Sequence, residues 1–205
     1  MANMKLYYSP TSPYVRKVRA VAIETGLDKK MDLIPATVSP IAPSADVDKH
    51  NPVGKVPALV DGKTSLFDSV LICEYLDSKH RGRKMFPKAG AARWRVLRQH
   101  AMADGLLDAA LLARYENFLR PQQYRWTDWS GGQMKKIKGA LAAMEQDAGK
   151  LGSSPNIGNI AVACALGYLD FRYGDLGWRK SYPKLAAWHA KFSKRPSIAG
   201  TVPPA

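Results

Sequence analysis

The stretch SPTSPYVRKV, residues 9–18, sets three hydroxyls and two prolines immediately ahead of a basic, helix-like run. Ser12 is a good helix cap, and Pro13 at the first helical position has φ already set and needs no amide donor. A well-made helix start is therefore one full reading of the segment. It does not contradict a chemical one. A helix N-terminus offers free N–H groups and the positive end of the dipole, so an anion is stabilised there, and a neighbouring hydroxyl can donate to it. Ser12 is the first candidate for that donor, with Thr11, Ser9 and Tyr7 as rivals.

Other chemistries find less support. Cys73 and Cys164 each sit in an apolar stretch of helical pattern and read as small buried hydrophobes. Neither has a second cysteine or a histidine at metal-ligand spacing, and none of His50, His80, His100 and His189 forms an HExxH pair. No metal and no disulfide are expected. Lys and Arg number 31 against 17 Asp and Glu, a net charge of +14, which favours anionic partners. The basic runs are Lys79, Arg81, Arg83, Lys84, Lys88, Arg93, Arg95 and Arg98, then Lys135, Lys136 and Lys138. They lack interleaved aromatics and any nucleic-acid motif, so direct nucleic-acid binding is not expected. No run approaches the roughly 18 apolar residues of a membrane span, and MANMKLYYSP lacks the features of a signal peptide. The expected location is the cytoplasm, with no membrane partner.

The elements that must position these residues change character along the chain. KLYYS reads as a buried strand, and residues 13–25 carry Val15, Val18 and Ala22 at helical spacing with Gly26 as a stop. MDLIPA supports a second strand, and residues 37–51 hold at most a short irregular helix. VPALV, then DGK, then SLF reads as a hairpin turning at Asp61-Gly62. A helix follows from Ser69 to about Lys79, capped by Ser69. This order implies a parallel pair with a crossover helix, extended by a hairpin. Beyond the basic segment the patterns are helical almost throughout. The predicted fold is α/β plus all-α, with residues 1–80 as the first domain, 81–91 as linker and 92–205 as an all-helical domain.

Three motifs within that layout are TSPYVRKV at the first strand-helix turn, NPVGKVPALV before the hairpin, and FDSVLICEYL opening the third helix. Together they resemble the cytosolic glutathione S-transferases, most closely bacterial members with a serine before the first helix. The resemblance implies a thioredoxin-like N-terminal domain followed by a helical bundle, acting as a homodimer in detoxification. It implies glutathione as co-substrate and a small hydrophobic electrophile as partner. Ser12, in the CPY-like SPY, would donate to the thiol of glutathione and favour its thiolate. A cis Val56–Pro57 bond would expose the Val56 N–H and C=O to the cysteinyl backbone, with Lys55 near the glycine carboxylate. Asp68 would take the γ-glutamyl ammonium and Ser69 the carboxylate, although many members carry glutamate in place of Asp68. Asp104 is a weaker candidate for the same ammonium. Leu107, Leu111, Tyr115 and Phe118 would line an electrophile site between the domains.

The resemblance also places Asn156 and Asn159 where the family's buried capping motif has Ser or Thr and then Asp. Asn159→Asp is accordingly expected to raise the melting temperature. The alternative function is a non-enzymatic binding or regulatory protein with the same fold, as in stringent-starvation-type relatives, for which the basic surface is the argument. A glutaredoxin-like route prefers cysteine at position 12, since serine forms no mixed disulfide. Peroxide reduction through the bound thiolate stays open as a side activity.

Overall fold

The computed structural model describes residues 3–204. Strand β1 (Met4–Tyr8) buries Met4 and Leu6 and turns Lys5 outward, the period of two of a pleated chain. After the turn at residues 9–12 comes α1 (Pro13–Thr25), closed by Gly26 at φ 70°, a left-handed geometry that glycine adopts at no steric cost. Strand β2 (Met31–Pro35) lies parallel to β1. The single turn of α2 (Ala45–Asp48) is the short helix expected in this irregular stretch. The hairpin is β3 (Ala58–Asp61) and β4 (Thr64–Leu66), turning at Gly62 with φ 60°. The sheet order is β2-β1-β3-β4, with β3 antiparallel to both its neighbours.

Helix α3 (Ser69–Ser78) packs beside α1. Val18 and Val21 of α1, Ile72 and Leu76 of α3, and Leu6 and Leu59 of the sheet are all fully buried. Burial of side chains of this size contributes about 1.5–3 kcal/mol each, so the layer of two helices on the sheet is where this unit gets its stability. The cap of α3 is Asp68 rather than Ser69. Its Oδ1 accepts from the Val70 and Leu71 N–H groups at 3.0 and 3.4 Å, and Ser69 is the first helical residue. Both side chains carry a capping oxygen, so composition alone could not separate them.

The helical unit contains α4 (Gly90–Arg114), which runs on through a π-helical turn at Tyr115–Leu119, then α5 (Thr127–Asp147), α6 (Ile157–Arg172), α7 (Trp178–Ser181) and α8 (Pro183–Phe192). From Ile157 to Leu169, α6 is buried on nearly every side except at Gly167, as suits a helix apolar all round. It runs parallel to α4. Gly158 at its start faces Val96 and Gln99, while Tyr173 just past its end donates to the Ala110 carbonyl at 2.5 Å. A Cβ on Gly158 would lie 2.8 Å from the Val96 carbonyl oxygen and 3.0 Å from Gln99 Cβ. Gly158→Ala is therefore expected to force the helices apart and cost about 1–3 kcal/mol. Denaturant melts that match those of the native protein would contradict this close approach.

The compact units do not follow the sequence boundaries. The first runs to Lys88 and takes in the segment from Arg195 onward, whereas Ala89–Lys194 forms the second. Two sets of polar contacts explain the difference. Buried Asp77 of α3 accepts from the Met85 and Phe86 N–H groups at 2.8 and 3.1 Å, which folds residues 81–88 back onto the first unit. At the far end, Arg195 binds both oxygens of Glu24 at 2.9 Å, and Ser197 Oγ donates to the same carboxylate at 2.6 Å. The buried Arg16 donates to the Ile198 carbonyl of α9 (Pro196–Ala199) at 3.1 Å.

Burial opposes charge on Glu24, but hydrogen bonds from Arg195 and Ser197, with the Arg195 charge, hold its carboxyl below the ordinary carboxylate range. A lowered native pKa gives stability that is present above the unfolded value of about 4.3 and lost as pH falls through the native one. Glu24→Gln is expected to cost about 1–3 kcal/mol at pH 7 and less at an acid pH where the native carboxyl is protonated. Urea melts at the two pH values test this, and a gap of equal size at both would show that the carboxylate charge is not what holds the segment.

Candidate active site

Sheet topology brings three of the predicted segments to one end of the first unit. Tyr7 of β1 pairs antiparallel with Ala58 of β3, so the turn at residues 9–12 leaves the sheet where residues 55–57 enter it. Strand β4 returns along β3 to pair Leu66 with Leu59, which delivers Phe67 and Asp68 to that same end. Residues more than fifty apart in sequence therefore share one edge.

Ser12 has extended backbone, φ −78° and ψ 121°, and its Oγ accepts from the Val15 N–H at 3.3 Å. A hydroxyl that accepts still has its own proton to give, so the capping role leaves Ser12 Oγ able to donate as well. The rivals are engaged otherwise. Ser9 Oγ and Thr11 Oγ1 are bonded to each other at 3.3 Å, and the half-buried Tyr7 sets its ring against His50, centroids 5.0 Å apart.

The Val56–Pro57 peptide bond is cis, as the resemblance implies, and so is Phe67–Asp68. Pro57 is buried, Val56 half-buried and Lys55 exposed. Among the described residues, the Val56 N–H and C=O have no hydrogen-bond partner. Sequence reasoning missed Asn51, which sets this loop. Its buried amide donates to the Lys55 carbonyl at 2.8 Å, and its oxygen accepts from the Val53 N–H at 3.0 Å. The available signal was the Asn-Pro step that opens NPVGKVPALV, a pattern that favours turn initiation. Gly54 at φ 67° completes the turn.

Asp68 is exposed, with Oδ1 given to the cap of α3, and Ser69 is nearly fully buried behind it. The remaining candidates lie on the helical unit. Asp104 is 3.2 Å from His100 Nε2, one turn earlier on α4. Leu107 is fully buried and has no surface to offer a ligand, whereas Leu111 and Tyr115 are partly exposed and Phe118 is well exposed. Burial pushes the Tyr115 hydroxyl above its ordinary pKa.

The sheet order, the capped helix start and the cis-proline loop define a thioredoxin-like unit, here in one chain with an all-helical unit. The chain belongs to the glutathione S-transferase family: the model of the family's N-terminal domain matches residues 6–84 and that of its C-terminal domain matches residues 109–191. It is 34% identical to the uncharacterized GST-like protein YibF of Escherichia coli strain K12, covering 98% of this chain and 99% of that one. Among solved structures it is similar to a glutathione transferase family member from Pseudomonas fluorescens Pf-5 with bound glutathione. That match has 46% identity and a TM-score of 0.97 over 99% of this chain and 100% of the other. A structure of a family member from the same organism with bound S-(propanoic acid)-glutathione matches at 46% identity and a TM-score of 0.92, covering 98% and 100% of the two chains.

Proposed function

We propose that this protein binds glutathione at the shared edge of its first unit and transfers the glutathionyl group to a small electrophile. The observation that carries the reading is the convergence, by strand register, of a helix-capping hydroxyl, an unpaired backbone amide next to a cis-proline, and an acid at a second helix start. Each fits one part of the tripeptide. The Val56 N–H and C=O would pair with the cysteinyl backbone as an added strand. The carboxylate of Asp68 would meet the γ-glutamyl ammonium, the Ser69 N–H and hydroxyl would meet its carboxylate, and Lys55 would approach the glycine carboxylate. The bound ligands of the Pseudomonas fluorescens relatives support this choice of tripeptide.

A free thiol of this kind has a pKa of about 8.5, so only a few per cent is thiolate at pH 7. A hydrogen bond from Ser12 and the positive end of α1 favour the anion. The thiol proton passes to solvent and the thiolate attacks the electrophilic carbon. A C–S bond forms, the bond to the leaving group breaks, and the leaving group departs with the electron pair. With a peroxide as acceptor the same thiolate would be oxidised and the peroxide reduced. Action as a cytoplasmic homodimer is part of this reading.

Calorimetric titration with glutathione, followed by an assay of the complex with a chloronitrobenzene, tests it. Saturable binding with release of chloride is the expected result. Absence of glutathione binding would overturn the reading and turn attention to a non-enzymatic role.

A further inference from the structure

Two arginines far apart in sequence lie at corresponding levels of the parallel helices α4 and α6. Arg114 is the last residue of α4 and Arg172 the last of α6, and the Tyr173 hydroxyl ties these ends together through the Ala110 carbonyl. Aromatic rings fix both guanidinium groups: Arg114 lies 4.5 Å from the centroid of Phe118, and Arg172 lies 3.7 Å from that of Phe171. Arg172 Nε is buried with no hydrogen-bond partner, and among the described residues no carboxylate pairs with either side chain.

Both side chains are half-buried, so what needs an explanation is the buried Nε of Arg172, which has no partner among the described residues. The negative end of the α6 dipole favours the cation at Arg172, but it leaves Arg172 Nε unfilled. Guanidinium groups present donors in a planar fork that matches a carboxylate, and buried donors in native proteins find acceptors. Burial first, and the Arg114 charge second, hold Arg172 below its ordinary pKa. Burial raises the pKa of Tyr115, Tyr168 and Tyr173, and the Arg114 charge opposes that rise in each. Leu107, Leu111 and Arg114 fall at i, i+4 and i+7 of α4, one helical face. Arg114 thus continues the α4 stripe that sequence reasoning assigned to the electrophile, of which Leu111 is partly exposed and Leu107 is not.

We infer that Arg114 and Arg172 form an anion subsite that takes the carboxylate of an acidic second substrate, with the rings of Tyr115 and Phe118 beside its apolar part. The ligand class is a small electrophile carrying a carboxylate, and its role as a substrate rests on the transferase reading above. The site itself does not.

The test pairs 4-chloro-3-nitrobenzoate with its neutral amide, two electrophiles that differ in charge at one end. With glutathione, the native protein is expected to show a KM for the benzoate about 10- to 100-fold below that for the amide, the range of charge-assisted hydrogen bonds. Arg172→Gln and Arg114→Gln are each expected to erase most of that ratio, and because the ratio is internal to each variant a general loss of activity does not mimic the result. Direct calorimetric titration with the benzoate, without glutathione, is the second arm. Binding by the native protein that is lost in Arg172→Gln supports the subsite even if neither electrophile is turned over, in which case the transferase reading alone fails. A native protein without preference for the benzoate, or variants that keep the preference, would overturn the inference.

Discussion

Replacing Ser12 with alanine is expected to lower turnover about 100-fold or more while glutathione still binds. The magnitude follows from losing one preorganised donor to a developing or resident anion. The bound thiol would then ionise at higher pH, closer to its free value of about 8.5. Since Ser12 Oγ also accepts the Val15 N–H, the same change should cost the fold about 1 kcal/mol through the lost cap. The two roles separate with other substitutions. Ser12→Thr keeps a hydroxyl and a cap and should restore much of both properties. Ser12→Asp keeps a good cap but sets a negative charge against the thiolate, so stability should hold while turnover collapses. The readouts are kcat, a thermal melt, and the ultraviolet absorbance of the bound thiolate against pH. Unchanged turnover in Ser12→Ala would pass the role to Ser9, Thr11 or Tyr7; of the first two, whichever donates in their mutual hydrogen bond would have to give that bond up.

The second large effect reverses an expectation drawn from sequence. Asn159 stands where the family's capping motif carries Asp, and a carboxylate there is favoured by the helix dipole by about 0.3–1 kcal/mol. In the structure the Asn156 oxygen already accepts the Asn159 N–H at 2.9 Å. The Asn159 side chain does something else: its amide nitrogen donates to the Gly152 and Ser154 carbonyls at 3.1 and 3.0 Å, and the residue is 2% exposed. Aspartate would place an ionised oxygen against two carbonyl oxygens with no proton to offer. Leaving such groups buried and unsatisfied costs about 2–4 kcal/mol, more than the dipole returns. Asn159→Asp is therefore expected to lower the melting temperature by about 5–15 °C for a chain of this size. A rise would show that the amide is turned the other way.

These two residues illustrate what was legible beforehand. The start of α1 could be read because cap, proline and stop are local signals, carried by Ser12, Pro13 and Gly26 within a few residues of the backbone groups they satisfy. The sheet followed for the same reason, since the Asp61-Gly62 turn fixes the register of β3 and β4. What could not be read depends on partners distant in sequence. Nothing near Arg195 announces Glu24, and nothing near Arg114 announces Arg172. Asn51 acts within four residues, yet its use of both ends of one amide shows only once the loop has its shape. For Asn159 the residue type was plain and its direction was not, because the direction is set by carbonyls five and seven residues upstream.

The discontinuous first unit has a consequence for how the protein is made. Helix α1, which begins at Ser12, holds the buried guanidinium of Arg16, whose acceptor is the Ile198 carbonyl, and the Glu24 carboxylate at its other end waits for Arg195 and Ser197. During synthesis those partners leave the ribosome more than 170 residues after α1 does. The nascent α1 therefore carries an unmatched charge of each sign until the whole helical unit has been translated. A chain terminated before Arg195 would contain Ser12, residues 55–57 and Asp68 yet lack the contacts that settle the helix beneath them, so the competence of the first unit is tied to translation of its own second segment.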